Sequence, residues 1–243
     1  MKVFIATPAF DGRVHVQYAV ALAETHTLLS SLGIGVQIGI NTSGSLLVAE
    51  RNRLNKAFLA SDCTHMLCID SDIGWPAGAV KRMLDHDVDV VAGLYPARGE
   101  KNTFLFRPVY LENKSIDMTE SKLLKMNYIP AGFMLIKRHV IERMTAHFSH
   151  LYFEPKHKDY KHENGHCLFN TEVVDGEFWG EDYVFSRRIR EAGFEILVDP
   201  LIEFDHAGTR GALIQALTDK PPEKQNGQEN QSYSDENKVI AER

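Results

Sequence analysis

Two carboxylates stand one residue apart directly after an apolar run of the sequence. The run Met66–Ile69 predicts a buried strand, and Asp70-Ser71-Asp72 follows it. Side chains two residues apart along an extended chain face the same side, so both carboxylates can reach one ligand. Their hard oxygens suit Mg²⁺ or Mn²⁺, which also bind substrate phosphates. Acidic residues are common in solvated turns too, but α/β folds bind ligands beyond the carboxyl ends of strands, which favours a site here.

A second acidic pair, Glu181-Asp182, opens the last long helix that the sequence predicts. Phe178, Phe185 and Ile189 stand four residues before Asp182, three after it and seven after it, so helical spacing places this carboxylate on an apolar stripe. An inward-facing carboxylate is unusual unless it is paired or does chemistry, and a general base is one such use. Capping of the helix N-terminus explains Glu181 well and the inward position of Asp182 poorly.

An arginine lies on the apolar face of the helix predicted to end near residue 60. Arg51 follows Leu47 by four residues and precedes Leu54 by three and Phe58 by seven. Its guanidinium must therefore snorkel to the helix edge or pair with an anion. An aspartate of the Asp70-Ser71-Asp72 motif or a ligand phosphate is a suitable partner, and the sequence leaves snorkelling and pairing open.

A late histidine and an earlier tyrosine follow two further predicted strands. His206 comes after the last of them, beside Asp205. A neutral imidazole is a good ligand for Mn²⁺, and a carboxylate neighbour can select its tautomer, although a lone histidine is more often a surface residue. Tyr95 and Arg98 come just past another strand, where they can contact a ligand or, for Tyr95, form the rim of the core.

The polar segment 153–171 is rich in His, Lys and Gly and predicts a surface loop. It holds four residues that can ligate zinc, namely His157, His162, His166 and Cys167. Structural zinc sites have regularly spaced ligands, so one cysteine and irregular gaps favour a solvated loop. The chain has neither a GxGxxG nor a Walker A sequence, so dinucleotide-binding and P-loop interpretations lack support.

Alternating strands and helices must position these residues. Strands are predicted at 3–6, 34–40, 66–69 and 88–92, with a helix over about 14–32, another ending near 60 and a short third. This order predicts an α/β fold with a mostly parallel sheet and helices on both faces. Further strands are predicted at 104–111, 133–136, 195–198 and 201–204, with helices ending near 148 and spanning about 179–193. We expect one domain over 1–213 and a polar, disordered tail over 214–243.

Composition excludes several classes of protein. The 243 residues carry 27 Lys and Arg against 33 Asp and Glu, and the net charge of −6 argues against a nucleic-acid partner. Three cysteines cannot form a disulfide framework and suit a reducing compartment, so we expect a cytoplasmic protein. No apolar run approaches the ~18 residues of a transmembrane segment, and the N-terminus lacks the pattern of a signal peptide.

Taken together, these motifs resemble those of GT-A-fold glycosyltransferases, which use nucleotide sugars. The resemblance covers about residues 1–211 and is closest to compact single-domain members of the kind found in phages and large viruses. The matching segments are Thr7-Pro8 (start of the nucleotide pocket), Asp70-Ser71-Asp72 (the DxD motif), Ala131-Gly132-Phe133-Met134 (the strand beside the sugar), Trp179-Gly180-Glu181-Asp182 (the WGxED-type motif of inverting members) and His206 (the late metal ligand of some members).

The resemblance implies a Rossmann-like GT-A fold with a central, mostly parallel mixed sheet, and hexosyl transfer from a nucleoside-diphosphate sugar to a glycan or another hydroxyl acceptor. It favours a UDP-sugar as donor and inversion at the sugar, with retention left open. The implied catalytic residues are Asp182, as base, and Glu181. The implied cofactor is Mn²⁺ or Mg²⁺, on Asp70, Asp72 and His206. The implied donor-binding residues are Thr7, Pro8, Arg51, Asp70, Ser71, Asp72, Tyr95, Gly132 and Trp179. The segment 153–171 lies outside the match and is expected to hold acceptor specificity.

Three other functions remain in competition. A nucleotidyltransferase uses a similar sheet but would carry a Gly-rich loop after the first strand, where residues 7–13 contain a single glycine. A phosphatase with a DxD nucleophile would carry that motif after the first strand, whereas here it follows the third. A non-catalytic nucleotide-sugar or glycan-binding protein would keep the fold without turnover, and the intact pair Glu181 and Asp182 argues against it.

Overall fold

The computed structural model of the chain describes residues 1–42, 44, 46–157, 159 and 164–218. Its first part consists of β1 (Lys2–Pro8), α1 (Val16–Ser31), β2 (Gly35–Asn41), α2 (Leu47–Ala60), β3 (His65–Ile69), β4 (Ile73–Gly74), α3 (Ala79–Asp85) and β5 (Val90–Ala92). Apart from the short strand β4, this is the predicted alternation of strands and helices.

The second part has shorter strands and connects them less regularly. Its elements are β6 (Arg107–Pro108), β7 (Leu124–Tyr128), β8 (Phe133–Lys137), α4 (Arg138–His147), a short 3₁₀ helix (Ser149–Leu151), β9 (Tyr152–Phe153), β10 (Gly165–His166), β11 (Glu172–Val174), β12 (Glu177–Trp179), α5 (Glu181–Glu191), β13 (Ile196–Val198), β14 (Glu203–His206), β15 (Thr209–Ala212) and α6 (Leu213–Thr218).

An eight-stranded sheet in the order β2-β1-β3-β8-β5-β13-β7-β6 forms the centre of the fold. β1 pairs in parallel with β2 and β3, and β5 pairs in parallel with β13. β8 is antiparallel to both of its neighbours, and so is β7. Six strands therefore run in one direction and two in the other. This mostly parallel mixed sheet with its flanking helices confirms the predicted Rossmann-like GT-A fold class.

Both faces of the sheet are buried, because successive residues of a strand enter two different apolar clusters. In β1, Val3 and Ile5 pack with side chains of α1 and α3, whereas Phe4 and Ala6 pack with side chains of α2, α4 and α5. Burial on both faces explains why the central strands read as continuous apolar runs. β2 lies at the sheet edge, where Ile38 and Ile40 are exposed, so the alternation that predicted this strand does not mark a buried face.

The strand directions bring the chemical motifs to one edge of the sheet. β1, β3 and β5 run the same way; Pro8 ends β1, and the segments after β3 and β5 hold Asp70, Asp72 and Tyr95. β8 runs the opposite way, so its beginning lies at that same edge. The amide of Asp70 accordingly donates a hydrogen bond to the carbonyl of Gly132 at 3.0 Å. This is the edge at which α/β folds bind ligands.

A smaller sheet in the order β15-β14-β4 adds the late histidine to this edge. β14 pairs antiparallel with β4, and His206 stands opposite Ile73 in the register. Because Ile73 directly follows Asp72 in the chain, this pairing places His206 beside the Asp70-Ser71-Asp72 motif.

The strand predicted over 104–111 is wrong in extent. Within that segment the structure has a strand at Arg107–Pro108 alone, while Phe104 and Phe106 enter the core from irregular chain. Proline has no amide hydrogen with which to extend a ladder, which limits pairing here. At the other end of the chain, α6 continues past the predicted domain boundary at 213, and the predicted tail beyond Thr218 lies outside the described residues.

The segment 153–171 is not a surface loop throughout. Leu168 and Phe169 are buried, and the ring of Phe169 stacks on Phe185 with centroids 3.8 Å apart. Asn52 fixes this turn of chain, since its amide donates to the carbonyl of Phe169 and accepts from the amide of Phe169, both at 2.9 Å. The end of the segment is therefore part of the core under α2 and α5.

The three cysteines, Cys63, Cys68 and Cys167, are free thiols. Burial raises the pKa of Cys68 to about 12, so this thiol stays protonated at neutral pH. Along the described ranges, no helix is both long enough and apolar enough to cross a membrane.

Candidate active site

A buried arginine stands at the centre of the edge described above. Arg51 projects from the first half of α2 and is 4% exposed. Its Nη2 lies 2.9 Å from Oδ1 of Asp70 and 3.6 Å from Oδ1 of Asp182, and its Nε lies 3.8 Å from Oε1 of Glu181. Arg51 therefore pairs with protein carboxylates instead of snorkelling. One cation joins the acidic pair after β3 to the acidic pair that opens α5.

The electrostatics of this cluster set the protonation of Asp182. Burial raises the pKa of this carboxyl, the guanidinium of Arg51 lowers it, and the carboxylates of Glu181 and Asp70 raise it again, to about 7. Its Oδ1 is buried and makes no hydrogen bond to any described residue. The side chain as a whole is 24% exposed, and a partly exposed carboxyl that titrates near neutrality is suited to accept a proton from a bound hydroxyl.

Gly132 makes room for Asp70. A Cβ atom at this position would lie 2.4 Å from Oδ2 of Asp70 and 2.2 Å from the hydroxyl oxygen of Tyr95. Those two groups meet there, because the Tyr95 hydroxyl donates to Oδ2 of Asp70 at 3.4 Å. Asp70 is therefore held by Arg51 on one oxygen and by Tyr95 on the other, over a residue that can only be glycine without a rearrangement.

Asp72 belongs to a second group, formed with His206 and Arg98. Oδ2 of Asp72 lies 3.2 Å from Nε2 of His206, and the guanidinium of Arg98 contacts the same carboxylate oxygen. Nδ1 of His206 lies 2.8 Å from the carbonyl of Pro96. Burial raises the pKa of Asp72, but its polar contacts with His206 and Arg98 outweigh burial and hold it at about 2. Burial lowers the pKa of His206, and its bonds to Asp72 and Pro96 raise it above its ordinary value.

The two groups border a cavity of ≈ 660 Å³ at the carboxyl edge of the sheet. Small-molecule sites usually measure about 300–1,000 Å³, so this cavity has room for a nucleotide-sized ligand. Its lining includes five residues of the predicted motifs or their neighbours, namely Pro8, Asp70, Ser71, Asp72 and Arg98. Glu50, on the turn of α2 that carries Arg51, is also in the wall and pairs with Arg53.

Five of the nine predicted donor-binding residues are absent from the lining of this cavity, namely Thr7, Arg51, Tyr95, Gly132 and Trp179, and so are the predicted catalytic residues Glu181 and Asp182. Thr7 is fully buried, and its hydroxyl is 2.6 Å from the hydroxyl of Tyr18, so its side chain faces the core between β1 and α1. Trp179 packs edge-on against the ring of Tyr128 with centroids 4.8 Å apart. The expected stripe around Asp182 also needs correction. Phe178 is 75% exposed because it belongs to β12, before the helix begins.

The structure does not gather the three predicted metal ligands. Within the described ranges, no group of three or more His, Cys, Asp or Glu side chains is arranged to hold a metal ion. Asp70 is engaged by Arg51 and Tyr95, whereas Asp72 and His206 present an oxygen and a nitrogen 3.2 Å apart. These two donors suit Mn²⁺ or Mg²⁺ when phosphate oxygens and water supply the remaining ligands.

The four candidate zinc ligands of the segment 153–171 lie in different surroundings. His166 lies in β10, and Cys167 contacts the carbonyl of Phe169 and the amide of Asn52 through its sulfur. His157 is exposed, and His162 lies outside the described residues.

Sequence reasoning placed Arg98 near a ligand but did not assign it to the site. Its contacts with Asp72 and His206 span 26 and 108 positions of the chain, so no local pattern points to them. The signal that was available is its position just after β5, at the carboxyl edge of the sheet.

Comparison with known proteins gives structural neighbours but no family. No protein-family model and no curated protein matches the chain. Among solved structures, A197 from STIV is similar at 17% identity and a TM-score of 0.49, over 85% of each chain. TarS from S. aureus, in complex with UDP-GlcNAc, is similar at 12% identity and a TM-score of 0.44, over 87% of this chain and 58% of that chain. A putative glucose-1-phosphate thymidylyltransferase from Bacillus anthracis is similar at 9% identity and a TM-score of 0.41, over 86% of this chain and 89% of that one.

Proposed function

We propose that this protein is a metal-dependent glycosyltransferase that moves a sugar from a nucleoside-diphosphate sugar to an acceptor hydroxyl, with inversion. The observation that carries the proposal is the carboxyl of Asp182, with a pKa of about 7, joined through Arg51 to Asp70 at the wall of a nucleotide-sized cavity. A UDP-sugar is the favoured donor, and the acceptor is a glycan or another hydroxyl compound.

Each of the clustered residues has its own role in the proposed reaction. Asp182 takes the proton of the acceptor hydroxyl as that oxygen forms a bond to the anomeric carbon. The bond from the anomeric carbon to the diphosphate breaks in the same step, and the nucleoside diphosphate leaves with that electron pair. Arg51 holds Asp182 and Asp70 in a fixed relation, and Glu181 adds negative charge that keeps Asp182 basic.

A divalent cation would be held by Oδ2 of Asp72 and Nε2 of His206 together with the donor phosphates. When bound, it supplies positive charge that stabilises the leaving diphosphate. The carbonyl of Pro96 holds the imidazole of His206 in place, and Tyr95 packs edge-on against that ring with centroids 5.0 Å apart.

The first test is thermal-shift or calorimetric binding of a panel of nucleoside diphosphates and nucleotide sugars, with Mn²⁺ and with EDTA. Stabilisation by one donor class in the presence of metal is the expected result. Asp72→Ala should abolish that metal-dependent binding. No binding of any nucleotide to a folded sample would overturn the proposal.

The panel is followed by a reaction assay on whichever donor binds. Release of nucleoside diphosphate identifies a transferase, whereas release of pyrophosphate from a nucleoside triphosphate and a sugar phosphate identifies a nucleotidyltransferase. Binding without release of either product identifies a non-catalytic binding protein.

A further inference from the structure

The guanidinium of Arg98 lies between Asp72 and His206. Its Nη2 contacts Oδ2 of Asp72, and its Nε lies 3.2 Å from Nε2 of His206. The Arg98 side chain is 67% exposed, whereas those of Asp72 and His206 are 8% and 15% exposed. The guanidinium of a mostly exposed side chain therefore contacts two side chains that are largely buried.

The contacts of Arg98 occupy the atoms that a metal would need. Its Nε–H donates to Nε2 of His206, and its Nη2–H donates to Oδ2 of Asp72. These two atoms lie 3.2 Å apart, so one guanidinium contacts both at once. A divalent cation bound by the same oxygen and nitrogen would have to displace Arg98, because a lone pair cannot accept a hydrogen bond and hold a metal at the same time.

The position of Arg98 also allows its side chain to move away from Asp72 and His206. It is on the surface segment between β5 and β6, its side chain is mostly exposed, and it lines the candidate nucleotide cavity. Asp72 is buried, so departure of Arg98 leaves a carboxylate without its cation unless another cation, such as a divalent metal, takes that place. A diphosphate is a strong alternative partner, since guanidinium and phosphate form paired hydrogen bonds.

We propose that Arg98 is an internal cation that competes with a divalent metal for Asp72 and His206, and that the diphosphate of the donor draws Arg98 away. This inference concerns the same site and rests on the proposed function, because that function supplies the diphosphate. Metal and nucleotide then bind with positive coupling, and by linkage each raises the affinity for the other by the same factor. Arg98 occupies the metal-binding atoms of Asp72 and His206 until a diphosphate binds.

The test is Mn²⁺ binding to the full chain, measured by electron paramagnetic resonance at fixed free Mn²⁺, without nucleotide and with saturating UDP. Wild type should bind Mn²⁺ weakly alone and roughly 5–150-fold more tightly with UDP, the usual span of such coupling. Arg98→Gln should bind Mn²⁺ alone roughly tenfold more tightly than wild type, with a smaller effect of UDP. Arg98→Lys keeps the charge but not the two separate donor nitrogens, so its Mn²⁺ affinity should lie between those of wild type and Arg98→Gln.

Arg210→Gln is the matched control. Arg210 is an equally exposed arginine that pairs with Asp205, next to His206, and does not contact Asp72 or His206 in the described structure. Its Mn²⁺ affinity should equal that of wild type. Asp72→Asn should remove the gain of Arg98→Gln in a double variant, which shows that the gained metal is bound at this pair.

An unchanged Mn²⁺ affinity in a folded Arg98→Gln protein overturns the inference. If Arg98→Gln is unstable, equal Mn²⁺ affinities of wild type with and without UDP overturn it instead. Failure of the proposed function gives a different pattern, because sugar transfer is measured separately. A chain that transfers sugar but shows no effect of Arg98 refutes the inference alone, and a chain that gains Mn²⁺ in Arg98→Gln but transfers no sugar refutes the function alone.

Discussion

The Nη2 of Arg51 lies 3.6 Å from Oδ1 of Asp182, so the helix after β2 supplies the cation beside the candidate base. Without a nearby cation, burial and two neighbouring carboxylates would keep Asp182 protonated well above neutrality. With Arg51 in place the carboxyl titrates at about 7, where it can be unprotonated before transfer and protonated after it. The relation between these two residues therefore sets the pH range in which the site can work.

Replacement of the candidate base should separate binding from transfer. Asp182→Asn keeps the shape of the side chain but cannot accept a proton at neutral pH. We expect donor binding within about twofold of wild type and transfer reduced by roughly 10²–10⁴-fold, the usual contribution of a general base. The measurement is kcat together with donor affinity from calorimetry. Transfer at the wild-type rate would show that another group takes the proton.

The pH dependence of activity and of stability should run in opposite directions. Because Asp182 must be unprotonated to act as base, the transfer rate should rise with pH through about 7. The folded-state pKa is raised above the ordinary value of 3.8, so the folded chain binds the proton more tightly than the unfolded chain. Its contribution to stability is thus greatest below pH 3.8, falls as pH rises from 3.8 to about 7, and stays low above that.

The comparison that isolates this contribution is the free energy of unfolding of wild type minus that of Asp182→Asn, measured by urea denaturation from pH 4 to 8. This difference should fall over that range. A difference that rises with pH would mean that the folded state prefers the carboxylate, contrary to the burial of Asp182.

Removal of the buried cation should damage both stability and the pH profile. Arg51→Met leaves Asp70, Glu181 and Asp182 without their shared partner, and breaking a buried ion pair on one side costs about 3–5 kcal/mol. The carboxyl of Asp182 should then titrate at higher pH, which moves the rising limb of the pH-rate profile upwards. Chemical denaturation and the pH profile are the measurements.

Arg143→Met, on the exposed face of α4, serves as the control for the loss of an arginine and should leave both properties unchanged. If Arg51→Met matched this control in stability, the cluster would not be energetically coupled.

Addition of a single methyl group at Gly132 should disturb the site. The Cβ of Gly132→Ala would lie 2.2 Å from the Tyr95 hydroxyl and 2.4 Å from Oδ2 of Asp70, so both side chains must move. We expect a loss of about 1–3 kcal/mol in stability, as for other overpacked sites, and weaker donor binding. Gly78→Ala is the matched control, since its Cβ would meet nothing within 4 Å and its φ of −76° suits alanine. Equal stabilities of the two variants would contradict the packing argument.

Local pattern was enough to predict β1, β2, β3, β5, β8 and β13, the first helices and α5, whereas β7 of the same sheet was not predicted. Runs such as Val3-Phe4-Ile5-Ala6 are apolar because both faces of the sheet are covered. Every residue of such a strand must then be apolar, so the strand can be recognised from the local sequence. The position of Asp70-Ser71-Asp72 at the end of β3 and the partly buried side chain of Asp182 follow from the same local periods of two and 3.6 residues. Where the period was extended past an element boundary, as at Phe178, the prediction was wrong.

Tertiary structure alone decided which charged groups meet. Arg51 and Asp182, or Asp72 and His206, are separated by more than a hundred positions, and either pairing depends on how strands and helices are ordered in space. The reversed strand β8 brings Gly132 under Asp70, and the small sheet carries His206 to Asp72. The pKa of Asp182 depends on its burial and on its distances to the neighbouring charges. The contacts of Arg98 with Asp72 and His206 depend on the same kind of distance, which no single stretch of sequence contains.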